Sequence, residues 1–376
     1  MTWNVLTRAL RGSAVLLCTL GAQAAAETAV ETAASTFSTD LCEPIDKAAV
    51  ADIPGAVSGF TGYASAPGMW LTEPEASALT GKRIAMSVMS LGHPYFQAIA
   101  NHWETLAEKY DFELRVFDGR FDAGTVQRMV DDIISYAPDG VAFAPLDSAA
   151  SVPQVKRMLD AGLKVVTYNV QPAEMVAPRV FANDFDGPRI VGCNLARYFQ
   201  AKFPERDPVI GIVDQPELLQ VQDRKNGFLY GFLSLMPEAR VAQAVNGGGV
   251  IDKANAAASD LLQAHPDINV IFGINNDSSL GTVAALKAVG KYSDEWGALA
   301  SVDGSEPIMG ELGNPVSPLK AESGYGPYDF SLAAFNLLAA TIEGEADETT
   351  QVVVGYPPII PTEDGIESWL AQQYPR

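Results

Sequence analysis

The sequence predicts an α/β protein built as two similar Rossmann-like lobes, each a parallel sheet with helices on its faces. Three observations carry that prediction. Short apolar runs alternate with runs of helical period, the loops between them are short, and the alternation breaks near Phe203 and restarts at Val209. Parallel strands need a crossover, usually a helix, so strict alternation marks βα units, and two successive series of units make two sheets.

The first series opens with the apolar run Ile84 to Met89, read as a buried strand, and the loop SLGHPYF. A helix follows, because Phe96, Ile99, Ala100, Trp103, Leu106, Ala107 and Tyr110 recur at spacings of three and four, which is one apolar stripe. Glu113 to Phe117 is the next strand, Gly124 to Tyr136 a helix, Gly140 to Ala144 a strand, Val152 to Ala161 a helix and Lys164 to Asn169 a strand. A short strand, Arg179 to Ala182, leads into a helix over Pro188 to Phe203. The second series places strands at Val209 to Val213, Val241 to Val245, Val270 to Ile274 and Ala298 to Val302. Helices at Val221 to Leu235, Asp252 to His265 and Ser278 to Val289 separate them. The proline-rich tail ends in a helical piece, Glu363 to Gln373, expected to wrap a surface.

The chain is long enough for two cores: 376 residues, 48% hydrophobic, against roughly 100 to 200 residues per domain. Its formal net charge of −21 excludes a nucleic-acid or anionic-membrane partner, since phosphate lattices are held by Lys and Arg. Arg8 and Arg11, the apolar run Ala14 to Leu20 and the small residues Ala22 to Ala26 predict a cleaved secretory signal over 1–26 and a periplasmic destination. The segment 27–79 is poor in periodicity and reads as an extension packed along the body, with a short helix near Glu43 to Ala51. After processing two cysteines remain, Cys42 and Cys193; an exported protein permits a bridge, but sequence says nothing of their separation in space and leaves two free thiols as the alternative.

Enzyme chemistry finds little support. Three histidines occur, His93, His102 and His265, with no nucleophile elbow to partner them. No HExxH, CxxC or calcium-loop spacing appears, and no GxGxxG opens a helix, so neither metal nor cofactor is expected. What recurs is polar and aromatic residues just past strand carboxyl ends: His93, Tyr95 and Phe96, then Asn169, Asn183 and Asp184, Asn275 and Asn276, and Asp303. Each Asn or Asp alone also reads as a helix cap. Together, amides and carboxylates for hydroxyls and rings for CH faces suit a polyhydroxylated ligand in the cleft outside the strand ends.

These residues resemble the type I periplasmic binding proteins that deliver sugars to ABC transporters, the ribose-binding type above all, over about Gly81 to Val354. His93-Pro94-Tyr95-Phe96 is similar to the family's Asn-Pro-Phe-Phe loop, and Asn169-Val170 stands where the family has Asp-Arg. Arg224 precedes Gly227-Phe228 as the family's arginine does, Val270 to Asn275 matches its Asn-bearing strand, and Asp303-Gly304 matches its Asp-Gly turn. Gly324 to Pro327 resembles a hinge crossing, with Tyr325 at a position of polar contact. The resemblance implies two lobes joined by three crossings, with 80–182 plus 326–347 as lobe 1 and 183–325 plus 348–376 as lobe 2. It implies a monomer that captures a sugar, polyol or cyclitol and passes it to an ABC permease, without catalysis. His93, Tyr95, Phe96, Asn169, Asp184, Arg224, Asn275, Asp303 and Tyr325 are the ligand contacts it implies, with Asp184 compensating for the acid missing at Asn169. The alternatives are a partner of a chemoreceptor or histidine kinase, which would use the same site, and an exported glycoside-acting enzyme.

Overall fold

The structure is a computed structural model that describes residues 33–43, 68–216 and 218–374. The expected signal segment and nearly all of the helix expected near Glu43 to Ala51 lie outside those residues.

In chain order the elements are β1 (Arg83–Val88), α1 (Pro94–Tyr110), β2 (Glu113–Asp118), α2 (Ala123–Tyr136), β3 (Gly140–Phe143), α3 (Ser148–Asp160), β4 (Lys164–Tyr168) and β5 (Arg179–Ala182). Then come α4 (Asp186–Lys202), β6 (Val209–Asp214), α5 (Leu219–Leu235), β7 (Arg240–Asn246), α6 (Ile251–Ala264), β8 (Val270–Gly273), α7 (Asn276–Ala288) and β9 (Ala298–Asp303). The chain finishes with α8 (Glu306–Leu312), β10 (Leu319–Gly324), α9 (Pro327–Glu343), β11 (Gln351–Val354) and α10 (Glu363–Gln373).

Two parallel sheets result, in the orders β11-β5-β4-β3-β1-β2 and β10-β9-β8-β6-β7. Both reverse direction at their first strand, so each lobe has a crevice where the order switches, at β1/β3 and at β6/β8. Strands β3 and β8 are buried along their whole length, as continuous apolar runs in a sheet covered on both faces must be. Side chains at the strand ends start several helices. His93, Asp122, Asp147 and Asn275 each accept a hydrogen bond from a backbone N–H of the helix that follows, satisfying donors the first turn leaves unpaired.

The chain crosses between lobes after β5, after β10 and after β11. Helix α4 packs on β9 and β10 of the second sheet, whereas α9 packs on α1, β4 and β5 of the first. The tail divides differently from the expected boundary. Strand β11 pairs in register with β5, Val352 opposite Val180, so it belongs to the first lobe. Beyond it, Ile359, Ile366 and Trp369 enter the apolar core of the second. Strand pairing over a separation of about 170 residues decided this, and a four-residue apolar run after a long helix carries no sign of it.

The described parts of the extension touch both lobes. Cys42 and Cys193 are bridged, with Cα atoms 5.9 Å apart, which ties the extension to α4. Asn194 clasps the Ser38 backbone in both directions at 2.8 and 2.9 Å, and Arg189 donates to the Cys42 carbonyl at 2.8 Å. Further along, Asn336 of α9 donates to the carbonyls of Trp70 and Thr72, and Glu73 pairs with Lys109 and Tyr328 on the first lobe.

Candidate ligand-binding site

The facing strand ends differ in chemistry. On the first lobe the β1–α1 loop supplies rings. Tyr95 and Phe96 are 4% and 6% exposed and meet edge to face at 5.1 Å between centroids. Phe121, just past β2, lies 5.9 Å from Phe96 and 6.1 Å from His93, and is 49% exposed. Its φ of 49° and that of Arg120, 54°, are left-handed, a conformation that costs a non-glycine residue energy. Backbone pairing holds it there: Phe121 N–H donates to Met89 O at 2.8 Å. The Asn169 amide, at φ 70°, donates to the Met89 sulfur at 3.2 Å and so lies beside the first loop.

The second lobe supplies charge. Arg224 sits early in α5, which is pressed onto α4 by glycines. A Cβ on Gly227 would stand 2.2 Å from the Phe185 carbonyl oxygen, and one on Gly231 2.0 Å from that of Arg189, so only glycine permits this approach. The close contact brings Arg224 Nε to within 2.7 Å of an Asp184 oxygen. Its Nη1 donates to Asp303 at 2.8 Å and to the Ile274 carbonyl at 3.3 Å. The Tyr356 hydroxyl shares its one proton between the two carboxylates, at 3.3 and 3.4 Å, and the guanidinium lies 5.8 and 5.7 Å from the ring centroids of Tyr325 and Tyr356. Arg224 is 8% exposed.

Burial pushes Asp184 and Asp303 above the usual carboxylate range, and the Arg224 charge pulls them back. Burial also disfavours the Arg224 cation, but Tyr356, Asp303 and Asp184 outweigh it, and the group stays protonated. Asp277 in the first turn of α7 is raised by burial and lowered by the His93 ring, which also lowers Asp303. His93 of the first lobe therefore acts electrostatically on two acids of the second.

The nine sequence-predicted residues are thus distributed over both rims and a crossing. Arg224, Asp184 and Asp303 form one buried ion cluster; Tyr95 and Tyr325 stack edge to face beside it at 5.2 Å, bridging the first lobe and the second crossing. Asp184, expected to compensate for the acid missing at Asn169, is engaged with Arg224 and Tyr356. Asn275 and His93 act as helix caps, and Asn275 also donates to the Gly249 carbonyl at 3.0 Å.

Several neighbours escaped the sequence reading. Tyr356 follows β11 and would have qualified as a strand-end aromatic had that strand been recognised. Asn276 supports Asp303 through its backbone N–H at 3.4 Å, while its side chain reaches Ser301 and Glu322. The hydroxyls of Tyr95 and of Tyr374, at the end of α10, are buried without a hydrogen-bond partner among the described residues, and both sense Asp303 and Tyr325. No sequence signal marks Tyr374, which arrives from a tail expected only to wrap a surface.

Comparison with known proteins bears on the fold and the family. A model of the periplasmic binding protein domain matches residues 84–346. The D-ribose/D-allose-binding protein of Pseudomonas aeruginosa is 27% identical over 222 residues, which cover 56% of this chain and 67% of that protein. In structure, an ABC transporter periplasmic solute-binding protein from Actinobacillus succinogenes with bound D-allose superposes with a TM-score of 0.67 at 18% identity. That match covers 76% of this chain and 99% of the other. The Caulobacter myo-inositol binding protein gives 0.65 at 18% identity, covering 79% and 97%.

Proposed function

The chain belongs to the periplasmic binding protein domain family, and from that premise we propose that it captures a small polyhydroxylated ligand between its lobes and delivers it to an ABC importer. The ligand class is a sugar, a polyol or a cyclitol. It acts as a periplasmic monomer with a permease as partner, and it binds without catalysing a reaction.

One observation supports this reading most: the buried cluster of Arg224 on α5 with Asp184, just past β5 on the first crossing, and Asp303, at the carboxyl end of β9, flanked by tyrosine rings. Charged donors and acceptors held in fixed directions give charge-assisted hydrogen bonds to hydroxyl groups, about twice as strong as neutral ones. The rings of Tyr95, Phe96 and Phe121 cover the apolar CH faces between those hydroxyls. Closure about the crossings, which carry Asp184, Tyr325 and Tyr356, brings the two rims together and excludes the water that would otherwise compete. His93, Asn169 and Asn275 complete the rim. Val170 and Gly249, in place of an arginine and a stacking ring, leave the site less suited to a flat pyranose and favour a pentose, a tetritol or pentitol, or a cyclitol.

Thermal-shift titration of the mature protein with pentoses, tetritols, pentitols and inositols tests the reading. Stabilisation by at least one member is expected. Stabilisation solely by amino acids, peptides or nucleosides would overturn it.

A further inference from the structure

Asp303 is held in an unusual backbone conformation, φ 121°, where a side chain is strained. Something must over-determine it. On the neighbouring strand β10 lies Glu322, 1% exposed, a carboxylic acid buried among polar side chains including Asn276 and Ser301. One of its oxygens accepts from the Gly304 N–H at 3.0 Å and from the Asn276 amide at 3.1 Å. The same Asn276 accepts from the Ser305 N–H at 2.7 Å, donates to the Ser301 hydroxyl at 2.8 Å and offers its own N–H to Asp303 at 3.4 Å. Residues 303 to 305 are therefore gripped at three consecutive positions by one dyad.

We propose that Glu322 is a positioning residue for Asp303, its carboxyl acting with Asn276 to fix the strained turn that aims the Asp303 side chain at the cleft. An apolar side chain would be cheaper to bury here, so a buried acid needs a reason of this kind. Burial pushes Glu322 up to about 8, with Asp303 adding to the rise and the bonds from Asn276 and Gly304 opposing it. The ionisable groups facing it are Asp303 on β9 and Tyr374 beyond α10, both acids. At neutral pH the clamp is largely uncharged; above pH 8 it acquires a negative charge that repels the Asp303 carboxylate and disturbs its aim.

The inference rests on Asp303 being a ligand contact, yet the clamp has its own reporter. The Trp369 indole donates to the Gly304 carbonyl at 2.8 Å and packs so closely on Gly304 and Gly324 that a Cβ on either would fall within 2.7 Å of the ring. Tryptophan fluorescence of the mature protein, followed from pH 6 to 9.5, should show a one-proton change centred close to pH 8. Glu322→Gln, which keeps the acceptor but cannot ionise, should abolish it, and Trp369→Phe should remove the signal. By calorimetry with D-ribose, D-allose and myo-inositol, any of these that binds should lose about tenfold in affinity between pH 7 and 9 in the parent and hold steady in Glu322→Gln. A transition unchanged in Glu322→Gln overturns the proposal. If none of the three sugars binds, the functional reading is weakened, while the fluorescence midpoint still decides the clamp.

Discussion

The two rims of the cleft are built on opposite principles. The first lobe presents rings on a short loop and a strained turn, where Phe121 stands half in solvent against Phe96 and His93. The second presents a buried ion cluster in which Asp184 and Asp303 are both engaged by Arg224, and beside it on α5 Lys225 pairs with Asp214 at 2.8 Å. Faces are tolerant of what they cover, whereas charged hydrogen bonds require a direction. On the proposed reading the first rim would contribute contact area and the second orientation, and the exposed Phe121 is the part of the first rim that adds little to the core.

That contrast can be broken most forcefully at Arg224. Arg224→Leu leaves two buried carboxylates without their cation and should cost about 3–5 kcal/mol, read from urea unfolding at pH 7. Because both acids are raised by burial, protonating them relieves the loss, so the deficit should shrink as pH falls towards 5. A variant as stable as the parent at pH 7 would show that the cluster is incidental.

A smaller effect is expected one helix turn beyond the motif. Gly231→Ala places a methyl against the Arg189 carbonyl and must push α5 off α4. Overpacking of this kind costs about 1–3 kcal/mol. Affinity should fall along with stability, since Arg224 moves away from Asp184; unchanged melting would mean the helices part at no cost.

The first rim should respond in the reverse way. Phe121→Ser removes an exposed ring, so stability should change by less than about 0.5 kcal/mol. Sugar affinity in calorimetry should nevertheless drop roughly fivefold through lost apolar cover. Equal losses of melting temperature and affinity would erase the distinction between the rims.

The smallest effect is expected at Asp223, beside Arg224. Burial and the neighbouring charge of Asp184 push it up to about 6, above its unfolded value, so its contribution to stability is present in acid and lost as pH rises through about 6. Asp223→Asn should melt slightly higher than the parent at pH 7.5 and no higher at pH 4.

Much of the fold was legible because its signals are local. The apolar run and stripe from Ile84 to Tyr110 define β1 and α1 within a few residues, whereas the Gly227-Phe228 pair was legible only as part of the resemblance, and its reason, the backbone approach of α5 to α4, came from the structure. After Val302 the last helix was legible, since Glu363 to Gln373 is α10, but β10 was opaque. Glu322 in β10 follows Lys320 and precedes Ser323, which reads as a polar edge, although every residue of that strand is buried. Cover from α4, α10 and the crossing after β11 makes it so, and none of these is near in sequence.

The sequence by itself determined the two series of βα units, and through strand-end placement it marked most of the residues proposed to line the cleft. Periodicity, glycine and capping chemistry act over a few residues, so they can be read from a window. Only the tertiary structure decided that Cys42 meets Cys193, that β11 joins the first sheet while α10 joins the second core, and that Tyr356, Asn276 and Glu322 surround Asp303. Those facts depend on which distant segments exclude water from one another. Burial sets the protonation and the partners of a side chain, and burial is a property of the assembled chain.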